Sequence, residues 1–161
     1  MMDLLDWQGS SADAEKLLGL LHKQGLEAAL YRRGEQRAPA SLTVLADTKG
    51  AYFLQEPYPL MGIFEGGDLA ARKAVAKTGI PVITVGLSER DTVTYSSMAQ
   101  DHCAVTVGRP FLTLRGTSIQ EQEVILPCPC GDIQLLLFFT AALVLGVPPD
   151  QLPALFTHHP A

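Results

Sequence analysis

The sequence predicts one α/β domain over residues 1–161: a mixed sheet with a βαβ unit, followed by an antiparallel meander and a C-terminal helix. Three observations carry this. Between residues 61 and 85, an apolar run, a Gly66-Gly67-Asp68 turn, an Ala-rich stretch and a second apolar run follow in the order strand, helix, strand. That order pairs two strands in parallel. From 92 to 126, strand-length runs alternate apolar and polar residues between Gly, Asp and Pro, as half-buried antiparallel strands do. From 133 to 145 a run that is apolar except for Gln134 and Thr140 follows a capping Asp132 and ends at Gly146 and Pro148-Pro149.

In chain order, residues 1–40 read as a helical N-terminal segment. Ser10 or Ser11 caps a helix from about Ala12, with Asp13 and Glu15 in its first turn, where the helix dipole favours acids. Leu17, Leu18, Leu20 and Leu21 form its apolar face, and Gly25 stops it. Residues 26–31 form a short strand or continue a helical hairpin, and 32–40 form a surface loop. The sheet core spans 41–152. Strands are predicted at 42–46, 51–54 and 61–64, with a turn at 47–50 and interruption by Pro57 and Pro59. A helix at 69–77, closed by Gly79, leads to a strand at 80–85. The meander takes 92–97, 103–107, 111–115 and 121–126. Asp150 starts a short terminal helix, and 153–161 form a tail.

Composition excludes several function classes. Apolar residues make up 47% and charged residues 18%, against about 25% charged in typical domains, which is the opposite of a disordered composition. The net charge is −5, with 12 Lys and Arg against 17 Asp and Glu. The one dense basic cluster, Arg32, Arg33 and Arg37, has only Tyr31 beside it, so no nucleic-acid partner is expected. No run reaches the roughly 18 apolar residues of a membrane span. The acidic start has no basic leader region. With three cysteines read as reduced thiols, these features point to the cytoplasm.

Ile80-Pro-Val-Ile-Thr-Val-Gly86-Leu-Ser-Glu, the preceding Glu65-Gly-Gly-Asp68 and helix, the meander, Leu126-Pro-Cys-Pro-Cys-Gly131 and Ala141-Ala-Leu-Val-Leu-Gly146-Val147 form an ordered set. Over about residues 61–152 this set resembles the second half of the central, ATP-binding domain of the Mur ligases, the amide-forming enzymes of peptidoglycan precursor synthesis. The resemblance implies descent from an ATP-dependent scaffold and a link to peptidoglycan metabolism. In that family the strand before the helix ends in Asn-x-Asp-Asp, whose counterpart here retains only Asp68 in register, with Glu65 at the Asn position. The family's His-Asn-x-x-Asn element, which helps to hold the nucleotide, falls on Asp132-Ile133-Gln134-Leu135-Leu136. A hydrocarbon at 133 or 136 cannot replace an amide's donor and acceptor. The glycine-rich phosphate loop ending in Lys-Ser/Thr is absent, as is the family's C-terminal domain. The expectation is a non-catalytic binding, regulatory or oligomeric scaffold. The alternatives are a sensor of small molecules or anions, an ATP-dependent amide ligase, and a small thiol-dependent enzyme built on Cys103 and His102.

Two groups of residues stand out as candidate sites. Glu65, Gly66, Gly67 and Asp68 follow a strand where parallel α/β sheets place ligands. Two glycines admit a ligand to the backbone, although Asp68 would cap the following helix with or without one. Cys103, Cys128, Cys130 and His102 supply the ligand number of a tetrahedral zinc site. Against this, neighbours such as 102 and 103 point to opposite faces of a strand, so packing is the plainer reading and no cofactor is expected. His158-His159 reads as a solvated terminal pair. Residues 135–139, Leu-Leu-Leu-Phe-Phe, lack the polar face of a surface helix. Either the N-terminal helix covers them, or a homodimer does through helix 133–145 or the meander's edge; a different protein partner is also compatible.

Overall fold

The computed structural model describes residues 2–34, 38–47, 49–128 and 131–156. Among these the strands are β1 (Asp3–Gln8), β2 (Ala28–Leu30), β3 (Leu42–Leu45), β4 (Met61–Glu65), β5 (Val82–Val85), β6 (Val93–Met98), β7 (Cys103–Val107), β8 (Phe111–Leu112), β9 (Ser118–Ile119) and β10 (Gln122–Leu126). The helices are α1 (Ser11–Lys23), α2 (Leu69–Ala76), α3 (Ile133–Val144) and α4 (Leu152–Leu155), the last entered through a 3-10 turn at Pro149–Gln151.

One eight-stranded sheet runs β10-β7-β6-β5-β4-β3-β1-β2. β2, β1, β3, β4, β5 and β6 are mutually parallel, and β7 and β10 continue the sheet as antiparallel neighbours. The α/β class, the βαβ unit β4–α2–β5, the antiparallel continuation and the C-terminal helix stand as predicted. β8 and β9 pair apart from the main sheet.

Strand alternation sorts side chains between two layers. Leu5, Leu42, Val44, Ile63, Ile83 and Val85 join the main core with α1 and α3. Leu45 and Phe64 point the other way and meet Ala71 of α2. α3 lies within the first layer, in contact with β3, β4, β5, β6 and α1. Every residue from Leu135 to Leu145 is buried. The apolar run at 135–139 therefore finds its cover inside one chain, against the sheet and beneath α1, and no second chain is needed to shield it.

Three expectations are corrected. Residues 1–40 are not a helical appendage, because β1 lies between β3 and β2 within the sheet. Its Leu5 and Trp7 are buried while Asp6 and Gln8 alternate with them. Residues 51–54 form no strand. Instead the Gln8 side chain serves as Phe53's pairing partner: its Oε1 accepts from Phe53 N at 2.8 Å and its Nε2 donates to Phe53 O at 2.6 Å. The run expected at 111–115 is a strand only at Phe111–Leu112. It turns at Gly116, whose φ of +81° suits glycine, and Leu114 N donates instead to Val144 O at the end of α3. No helix among the described residues is long and apolar enough to cross a membrane.

Candidate functional site

The strand order places a reversal between β1 and β3. The chain moves from β1 outward to β2, then from β3 in the opposite direction. Ligands of open α/β sheets bind at the carboxyl ends of strands beside such a point. Here the loops after β1 and β3 are pressed together. Ala46 N donates to Gln8 O at 2.8 Å, and a Cβ on Gly9 would stand 3.1 Å from the Ala46 backbone. The opening lies on the other side of β3. A cleft of about 470 Å³ is lined by Leu45 of β3, Ala46, Asp47, Gly50 and Tyr52 of the loop after it, Glu65 and Asp68 at the end of β4 and beyond, and Ile133, Gln134 and Leu137 of α3.

The loop 65–68 is shaped by its own sequence. Glu65 closes β4, Asp68 N donates to Glu65 O at 2.9 Å, and Asp68 Oδ1 caps α2 by accepting from Ala71 N at 3.1 Å. The cap expected of Asp68 is thus present. Its other oxygen, Oδ2, lies 2.6 Å from the Tyr52 hydroxyl, which also lies 2.8 Å from Asp47 O. A phenol has one proton, and the shorter, charge-assisted contact with the carboxylate takes it. Burial first, then the bond to Asp68 and the nearby carboxylates, push the Tyr52 pKa well above its ordinary value, so the phenol stays protonated. Glu65 is also raised, chiefly by burial and then by Asp68 and Asp91.

Asp91, 5% exposed, supports this loop from the β5–β6 connection. Its carboxylate occupies the space that a Cβ on Gly66 or on Gly86 would need, and its Oδ2 accepts from Ser88 N at 3.1 Å. Gly66 is therefore glycine for a close approach of protein to protein. Gly67 is exposed with open space around its Cα.

The second predicted group is less coherent. Cys103 and Cys128 are buried in the main core. His102 is half-exposed, with Nδ1 2.8 Å from Asp101 Oδ1. Its bond to His102 is the main reason the Asp101 carboxyl falls below its usual range. Cys130, like His158 and His159, lies outside the described residues. Among those described, no three His, Cys, Asp or Glu side chains form a group able to hold a metal ion.

No protein-family model matches this chain, and no curated protein matches it. Sequence reasoning found Glu65 and Asp68 through the strand-turn-helix pattern but missed Tyr52, Asp47 and Asp91. Tyr52 lies inside 51–54, a run whose composition reads as a strand, and no motif around it signals a ligand contact. Gln134 had been named only as part of a degenerate family element.

Proposed function

We propose that this protein is a non-catalytic binding module that holds a small molecule between the carboxyl ends of β3 and β4 and the first turn of α3. The cleft carries this reading. Its volume of about 470 Å³ falls in the range of small-molecule sites, roughly 300–1,000 Å³. It combines apolar walls, Leu45, Ile133 and Leu137, with a few convergent polar groups. The Mur ligase resemblance adds support, because the 65–68 loop and the segment matched to the family's nucleotide-holding element border the same cleft.

Binding is favoured over catalysis because the described lining residues include no Ser, Thr, Cys, His or Lys, and the Tyr52 hydroxyl is held protonated as a donor to Asp68. ATP-dependent ligation is disfavoured because Ile133 and Leu136 stand where the family's nucleotide-holding element has its two amides. No cofactor enters this reading. The cytoplasm is the expected compartment on the cysteine grounds given above, and a regulatory role near peptidoglycan synthesis is what the resemblance would add. The homodimer expectation loses its helical argument. It rests now on β10, whose outer edge has no neighbouring strand among the described residues and which carries the 51% exposed Ile125. Light scattering showing a 17.3 kDa particle at every concentration would reject it.

Amide ¹H–¹⁵N spectra against a library of small amines, acids and neutral polar compounds test the main reading. Shifts confined to residues 45–52, 65–68 and 133–137 are expected for at least one compound. A library that moves none of them overturns the cleft as a ligand site, and micromolar Mg-ATP binding by calorimetry overturns the non-catalytic assignment.

A further inference from the structure

Resting on the cleft as a ligand site, we infer that its ligand is a small organic cation: a primary ammonium or guanidinium group on a short apolar stem. Two acceptors on residues that line the cleft have no donor among the described residues. The Glu65 carboxylate accepts no hydrogen bond among the described residues, whereas Asp68 is engaged by Ala71 and Tyr52, and Asp47 Oδ1 accepts from Lys49 N at 2.9 Å. Gln134 Oε1 is buried and has no partner among the described residues. A carboxylate left without a protein donor is open to a ligand with several N–H donors, whereas Gln134 Oε1, which has no accessible surface, comes within reach only when its amide turns toward the cleft.

Charge points the same way. Asp47, Glu65 and Asp68 line the cleft, and no Lys, Arg or His among the described residues does. The first turns of α2 and α3 offer roughly half an elementary charge each, about +1 against three carboxylates. Both turns are already capped, by Asp68 and by Asp132, whose Oδ1 accepts from Leu135 N at 2.9 Å. An anion would therefore meet net repulsion. Leu45, Ile133 and Leu137 supply apolar walls for the stem.

The charged groups acting on Glu65 are Asp68 at the α2 cap and Asp91 from the β5–β6 loop; Asp47 and Tyr52 of the β3–β4 loop share the cleft with it, and Arg72 Nε donates to the neighbouring Gly66 O. A cation stabilises ionised Glu65, so its affinity rises as pH climbs through the raised Glu65 value and levels off above it.

The test compares n-butylammonium, n-butylguanidinium, n-butanol and inorganic phosphate by amide shifts at residues 65–68 and 134. Either cation is expected to shift them at pH 8, and more tightly than at pH 5, while butanol and phosphate leave them in place. Glu65→Gln should weaken the cation about tenfold or more, the scale of one lost charge-assisted bond. Asp68→Asn, which keeps a capping side chain, should weaken it less. Circular dichroism checks that both variants fold. If neither does, the ranking of the four probes on the native chain and its pH dependence decide. Butanol or phosphate binding as well as the cations overturns the cation class and leaves the cleft as a ligand site. Silence from all four overturns the cation class, and the broader library then decides whether the cleft binds anything.

Discussion

The Tyr52 hydroxyl and Asp68 Oδ2 lie 2.6 Å apart, joining the loop after β3 to the cap of α2 across the cleft mouth. This bond ties an irregular segment to a helix terminus. Tyr52→Phe removes the donor and leaves Asp68 with its cap alone. The expected cost is about 1–2 kcal/mol, within the range for a bond to a charged acceptor at a partly buried site. A lower urea midpoint at unchanged slope would show it, and a midpoint equal to that of the native chain would mean that the bond is idle.

Gly66 and Gly67 are neighbours with opposite tolerances. Gly66→Ala drives a methyl into the Asp91 carboxylate, whereas Gly67→Ala meets nothing within 4 Å. Overpacking of this kind costs roughly 1–3 kcal/mol, so thermal denaturation should separate the two variants clearly. Equal melting temperatures would mean that the Asp91 loop yields freely.

Glu65 gives a pH dependence with a definite sign. Its folded pKa is raised, chiefly by burial, above the ordinary value of about 4.3. Between those two values the native chain holds a proton that the unfolded chain has lost. Stability attributable to Glu65 therefore falls as pH rises through that window and is constant outside it. Glu65→Gln should remove this component, so the stability difference between native chain and variant should move in the variant's favour from pH 4 to pH 7. A difference that stays flat over that range would contradict the assignment.

Phe139 is fully buried, and Phe138 packs on Trp7 with ring centroids 5.1 Å apart. Phe139→Ala should cost about 3–5 kcal/mol, and Phe139→Asp should unfold the chain, because an unpaired charge cannot be accommodated there. A soluble, folded Phe139→Asp protein would place that ring at a surface and restore the case for a helical dimer contact.

What the sequence determined by itself was local. The β4–α2–β5 unit, the caps at Asp68 and Asp132, β7 and the limits of α3 could be read because each depends on neighbours within a few residues: a run, a cap, a glycine stop. What only the tertiary structure decided depended on distant partners. β1 is a strand because Leu5 and Trp7 find a core built by residues far along the chain, and two acidic residues mask that alternation in the sequence. Residues 51–54 have strand composition, yet Phe53 pairs with the Gln8 side chain, 45 residues away, instead of with a strand. The apolar α3 left its cover undecided between chain and partner until the sheet and α1 were seen to enclose it. The cleft is the furthest such case. Glu65 and Asp68 were visible as a pattern, but Tyr52, Asp91 and Gln134 join them only because parallel strands bring the loops at their carboxyl ends to one edge, whatever their separation in the chain.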